Sequence, residues 1–321
     1  MATPFPASIK TPGEGRVVVR RVPEGITTVQ VMSFRYPLKM ISPAPSMGQL
    51  SATVFVLSYG GGLVGGDKVN IDMLIRENAR LCLLTQGYTK VFGSDTPDKI
   101  TRQTFSVSVE PGGCLCLLPD PVQPYASSIY EQTQVFTIDA TSDVCILDWV
   151  SQGRVALGEN WNFTKWTGTN EVWLAGEPNR LLVRDTVILD AAGNRLSGVP
   201  LHDSMHGVGV FGTLIIRGSR IHKLGAFFMK EFEATPRIGA RTWGDEAPSK
   251  DPSDDLAWRR ERLNLEKQAG LIWSAAHLRS CIVVKFGGRE VNSAKSWLLF
   301  MLTRDKTISD MFGENAVYCL Q

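Results

Sequence analysis

The chain has 321 residues, 43% hydrophobic and 21% charged, a composition that excludes wholesale disorder and fits a folded globular protein. At about 150 residues per domain this is one large domain or two ordinary ones, and it can bury roughly three-quarters of its unfolded surface without disulfide or metal staples. Thirty-four basic residues against 32 acidic ones leave a formal net charge of +2, too balanced for a dedicated nucleic-acid binder.

In chain order, Met1–Lys10 lacks the charged start and apolar run of a secretory signal. The first 15 residues read as a flexible lead-in. The longest apolar run near the other end, Trp297–Leu302, is far shorter than the ~20 residues that span a bilayer. Cys82, Cys114, Cys116, Cys145, Cys281 and Cys319 show no C-x-x-C spacing and sit mostly in apolar segments, as buried reduced thiols do. A cytoplasmic protein that meets no membrane is the expectation.

From Arg16 to about Leu189 the chain yields short runs rich in Val, Ile, Thr, Phe and Tyr, broken by Gly, Pro or Asn. They include Thr27–Phe34, Ala52–Tyr59, Val69–Ile75, Ala79–Thr85, Thr104–Val109, Cys114–Leu118, Gln134–Ile138, Val144–Val150 and Leu181–Leu189. Phe105, Val107 and Val109 alternate with Thr104, Ser106 and Ser108, the two-residue period of a half-buried strand. Regular strand spacing without helical periods points to β stacking rather than βαβ units. The last third changes character. A short helix over Leu224–Glu233, an exposed polar loop over Arg241–Asp255, a helix over Ala257–Leu278, a buried strand over Ser280–Phe286 and a helix from Asn292 or Ser293 to about Met301 are predicted. The expected architecture is a mainly β body with a few helices near the C-terminus.

Between the first strands lies Gly60-Gly61-Gly62-Leu63-Val64-Gly65-Gly66-Asp67. It contains G-x-G-x-x-G, but the next residues, Lys68–Ile75, alternate like a strand, whereas a dinucleotide site needs a helix there. Asp67 also stands where a phosphate loop requires Lys. A tight β–β connection remains, in which Gly62, Gly65 and Gly66 allow close packing or positive φ around one carboxylate.

Five ordered blocks then carry a resemblance. Gly61–Asp67, Leu84-Thr85-Gln86-Gly87-Tyr88-Thr89-Lys90-Val91-Phe92, Leu118–Tyr125, Ser127–Gln132 and Leu147-Asp148-Trp149-Val150-Ser151-Gln152-Gly153-Arg154 with Gly158-Glu159 resemble the urease accessory family UreD, also called UreH. The resemblance implies one domain over residues 1–321, folded as a β-helix-like stack of short strands. It also implies a non-enzymatic chaperone scaffold that helps load nickel into apo-urease. Its expected partners are UreF, the GTPase UreG recruited through UreF, and the urease apoprotein. Nickel is expected in transit through an internal tunnel, with no tightly bound cofactor.

Candidate site residues follow. Asp67, Asp148 and Glu159 are the carboxylates inside the matched blocks, and Asp148 interrupts an otherwise apolar strand. Burying it alone is costly, so it is either paired with Arg154 or Arg184 or lines a hydrated channel. Oxygen ligands hold a divalent transition ion loosely, which suits transit, and Arg154 is a candidate to neutralise the wall when no ion passes. Thr85 and Gln86 fall on opposite faces of one strand, with Thr85 in a hydrogen-bonding role. His202 and His206 have i,i+4 spacing, which suits a metal only on a helix; the flanking Pro200 and Gly207 favour a surface loop. The rival reading is a β-helical carbohydrate-active enzyme that uses paired carboxylates, with Trp149, Trp161, Trp166 and Trp173 stacking on sugars.

Overall fold

A computed structural model describes residues 11–44, 49–94, 96, 99–191, 198–235 and 254–321. Most of the expected loop, 241–253, and the first ten residues lie outside the described residues. Glu14 and Gly15 already belong to a strand, and Gly13 N–H donates to Tyr36 O.

The chain opens with two antiparallel pairs: β1 (Glu14–Arg21) with β2 (Thr27–Phe34), and β3 (Leu38–Ile41) with β4 (Ala52–Ser58). It then alternates between two sheets. β5 (Lys68–Ile75) enters the first, β6 (Arg80–Thr85) the second, and β7 (Thr89–Val91) is a short link. β8 (Thr101–Val109) returns to the first, β9 (Cys114–Leu117) to the second, and β10 (Val122–Pro124) is a second link. β11 (Ile129–Ile138), β12 (Asp143–Ser151) and β13 (Lys165–Leu174) repeat the alternation. Within each sheet, successive visits pair in parallel: β5–β8–β11–β13 in the first and β4–β6–β9–β12 in the second.

The return half is antiparallel. β14 (Arg180–Asp190) closes the edge of the first sheet against β13. After a four-residue helix, α1 (Leu201–Ser204), β15 (Val210–Arg217) pairs with β12. Helices α2 (His222–Glu233) and α3 (Asp254–Ala269) precede the hairpin of β16 (Ile272–Leu278) and β17 (Cys281–Gly288). The chain ends with α4 (Val291–Asp305), α5 (Thr307–Phe312) and a 3-10 turn. The mainly β body with helices near the C-terminus is as expected.

One expected helix is corrected. Ala257–Leu278 is not continuous: α3 stops at Ala269, Gly270 takes φ +56°, and Ile272–Leu278 forms β16. Glycine bears that left-handed backbone without a Cβ clash, and it is a normal place for a helix to end.

Two apolar layers hold the structure. Val54, Leu81, Leu83, Leu115, Ile146 and Val150 of the second sheet meet Val17, Ile71, Phe105, Val107, Phe136 and Val172 of the first. The opposite face of the second sheet, with Cys82, Cys116, Cys145, Leu147 and Trp149, packs on Phe228, Trp297, Met301 and Phe312 of the helices. β12 is therefore buried along its whole length, with even-numbered residues between the sheets and odd-numbered ones toward the helices. The buried thiols of Cys82, Cys116 and Cys145 stand in register on three adjacent strands. Burial, with the neighbouring thiols second, holds Cys116 well above its ordinary range, so it is inert.

Candidate functional site

The parity of β12 places Asp148 between the sheets, 8% exposed, in line with Val144, Ile146 and Val150. The first sheet answers with amides. Gln132 on β11 donates from Nε2 to Asp148 Oδ1 at 2.7 Å, and Asn170 on β13 donates from Nδ2 to Oδ2 at 2.7 Å. Gln132 Oε1 accepts in turn from Tyr130 OH at 3.1 Å and from Gln103 Nε2 at 3.5 Å. Neither expected arginine reaches Asp148: Arg154 pairs with Glu159, and Arg184 binds Glu171 at 2.8 Å. Burial raises the Asp148 carboxyl above the usual range, and the hydrogen bonds from Asn170 and Gln132 offset part of that rise. On the same inner strands, Gln134 Oε1, Asn170 Oδ1 and Trp166 Nε1 are buried without a protein partner. Such groups ordinarily hold water.

Gln103, Gln132, Gln134 and Asp148 line one space. A cavity of about 30 Å³ is bounded by Thr85, Gln103, Gln132, Gln134, Asp120 and Asp148 among others. That is room for roughly two water molecules. A second cavity, of about 230 Å³, lies beside it and shares Val56, Thr89 and Gln103; its wall includes Gly61, Gln86, Tyr88 and Lys90. A third, of about 620 Å³ and more open, is bounded by Tyr88, Gln123, Arg154, Arg289, Glu290 and Asn292.

Asp120, inside the matched block Leu118–Tyr125, stands on the wall of the inner cavity. It follows Leu118-Pro119 on the segment between β9 and β10 and is 6% exposed. Oδ2 accepts from Gly87 N–H at 3.0 Å and from Thr85 Oγ1 at 3.3 Å. Oδ1 meets Lys295 Nζ of α4 at 2.5 Å. Thr85 Oγ1, at the end of β6, also accepts the Asp120 N–H at 2.7 Å. Gln86 turns outward to the second cavity.

The other expected acids, Asp67 and Glu159, do not border the inner cavity. Glu159 is 8% exposed. It accepts from Arg154 N–H at 2.7 Å, from Arg154 Nε at 3.0 Å and from Ala126 N–H at 3.2 Å, and it forms an ion pair with Arg154 Nη2. Burial opposes its charge, but the hydrogen bonds from Arg154 and Ala126 win, and its carboxyl lies below the usual range. The Arg154 guanidinium also lies 3.9 Å over the Tyr125 ring. This clamp fixes the turn Val155–Leu157, whose Val155 and Leu157 are exposed. Gly153 has φ +106°, and a Cβ there would fall 2.8 Å from Glu159 Oε2.

Asp67 is half-buried and caps the glycine turn, Oδ2 accepting from Val64 N–H at 2.9 Å. It lines none of the three cavities. The strand that follows, β5, removes the dinucleotide reading. At Gly62 a Cβ would lie 2.5 Å from the Phe92 ring and 2.9 Å from Lys90 O, so a side chain is excluded there, where Leu63 bridges to Val91. Gly65 packs on Ser94 in the same way, less tightly, and Gly66 takes φ +93°. His202 lies on α1, exposed and 3.1 Å from Asp203, while α1 ends before His206, which has φ +49°. The i,i+4 geometry is therefore absent. Among the described residues no three His, Cys, Asp or Glu side chains converge as metal ligands.

The family model of the UreD urease accessory protein matches residues 11–316. A relative named "uncharacterized urease accessory protein ureD-like" in Schizosaccharomyces pombe is 29% identical over 89% of this chain and 92% of its own length. "Urease accessory protein 4" of Cryptococcus neoformans is 31% identical over 84% of this chain and 83% of its own. "Urease accessory protein UreD" of Sorangium cellulosum is 37% identical over 57% of this chain and 56% of its own. The chain belongs to the UreD urease accessory protein family. It is an accessory protein of urease maturation, not an enzyme. That removes the carbohydrate-active reading, and the burial of Trp149, Trp161 and Trp166 agrees, since none of the three can meet a sugar. Among the described residues no helix is long and apolar enough to cross a membrane.

Proposed function

We propose that the protein helps deliver nickel to apo-urease, acting with UreF and, through UreF, with the GTPase UreG. The ion crosses the interior between the two sheets, and the alternation of the chain between them is read as a β-helical coil around that route. One observation carries this reading: Asp148 is a buried carboxylate held by amides instead of by a cation, on the wall of a small inner cavity. A carboxylate in a low-dielectric interior attracts a divalent cation strongly. With amide and hydroxyl oxygens around it and no thiolate or imidazole set, it holds such an ion loosely enough to release it. Asp67, capping an outer turn, is assigned to the scaffold, and so are Glu159 with Arg154.

Gln103 tests the route, because it borders both inner cavities. Gln103→Met keeps the volume but makes the neck apolar. The variant is expected to fold and to assemble with its partners while urease purified from the same cells carries several-fold less nickel. Full nickel loading with Gln103→Met would place the route elsewhere.

A further inference from the structure

We propose that Lys295 is a built-in counter-ion that occupies the cation position at Asp120 and must be displaced before a metal ion can pass; this rests on the interior route proposed above. Three observations converge on it. The Lys295 ammonium lies 2.5 Å from Asp120 Oδ1, and Asp120 stands on the wall of the inner cavity. The Tyr88 ring, 6.0 Å from the same ammonium, borders both larger cavities, so Lys295 lies close to their shared wall as well as to Asp120. Lys295 also comes from the helical layer: α4 begins at Val291, and Glu290, Val291 and Asn292 wall the open cavity.

An ammonium and a divalent ion ask the same of this place, oxygen ligands and a negative charge. Asp120 offers both, with Thr85 Oγ1 beside it. A buried ion pair returns little net stability over well-packed apolar groups, so the pair is weak evidence of a folding role, although removing Lys295 alone leaves Asp120 unpaired. The pair leaves the inner cavity without a free charge at Asp120 and with a volume of about 30 Å³, too small for a divalent ion with its water shell. Anything that shifts the first turn of α4 draws Lys295 away and exposes Asp120. The open cavity that this turn borders is thereby coupled to the interior.

The test uses the purified full-length chain and nickel chloride, without urease. In the wild-type protein, millimolar nickel is expected to raise acetylation of Lys295 by an activated acetate ester several-fold, read by mass spectrometry, while other lysines are unchanged. Lys295→Met is expected to bind nickel at least tenfold more tightly than wild type by calorimetry, and Lys295→Met with Asp120→Asn to lose that gain. Lys295→Arg, which keeps the charge, should bind as wild type does. Unchanged Lys295 labelling in nickel, or a gain that survives Asp120→Asn, overturns the proposal. If Lys295→Met fails to fold, the labelling result on the wild type decides alone. Because urease is absent, failure here leaves the Gln103→Met result standing, and failure there leaves this one readable.

Discussion

Replacing Asp148 by Asn and by Ala separates its charge from its shape. In Asp148→Ala the amides of Gln132 and Asn170 each lose the acceptor now 2.7 Å away. Each orphaned buried donor costs about 1–3 kcal/mol, so the pair costs roughly 4 kcal/mol. At about 2–4 °C per kcal/mol this lowers Tm by roughly 8–16 °C. Asp148→Asn keeps one acceptor oxygen and turns an amide toward the second partner. Asn170 can reverse its own amide to receive it, because its Oδ1 has no partner to lose. The cost is therefore within about 1 kcal/mol, or less than ~4 °C. Thermal denaturation of both variants checks these sizes. The raised carboxyl of Asp148 adds a pH signature. Since the folded state holds that proton more tightly than the unfolded chain, its stabilising contribution is complete below the unfolded pKa and is lost as pH rises through the folded one. The stability of Asp148→Asn relative to wild type should thus grow with rising pH across that window. Equal destabilisation by Asn and Ala, or a flat difference with pH, would refute the assignment of Asp148 as an amide-held, buried acid.

Other outcomes follow from the same contacts. Glu159→Gln should cost about 1 kcal/mol in urea unfolding, a small value because Arg154 is partly exposed and the pair is screened. Because the Glu159 carboxyl is depressed, the wild-type advantage is present above the unfolded Glu pKa and should vanish as pH falls through the folded value. Gly62→Ala should destabilise by about 1–3 kcal/mol through collision with Phe92 and Lys90 O, measured by denaturation. Gly66→Ala, which meets nothing within 4 Å but keeps φ +93°, should cost about 1 kcal/mol. The double variant His202→Ala, His206→Ala should leave nickel binding and urease activation unchanged, because the two imidazoles share no helix.

Much of the β body is legible from period two. Thr27–Phe34 matches β2, and Val144–Val150 lies within β12, so the inward direction of Asp148 follows from its place among Val144, Ile146 and Val150. The strands that complete the site were harder to see. On β11 the inward positions are Tyr130, Gln132, Gln134, Phe136 and Ile138, and on β13 they are Trp166, Gly168, Asn170 and Val172. Amides and a glycine in core-facing places break the apolar alternation, so period two marks only Gln134–Ile138 of β11 and none of β13. The same interruption is the signal: polar residues at inward positions on neighbouring strands mark a polar patch between the sheets. Asp120 was hidden for another reason, since its partner Lys295 lies 175 residues away on a helix. The boundary at Gly270 was available as a helix-ending glycine, but the apolar run Leu271-Ile272-Trp273 imitates continued helix.

The most direct measurement is the nickel content of urease matured in cells whose only copy of this protein carries Asp148→Asn, at matched levels of the folded variant and of its complex with urease. An interior, charge-assisted route predicts nickel per urease several-fold below the wild-type level with the complex intact. Wild-type nickel content under those conditions would contradict it.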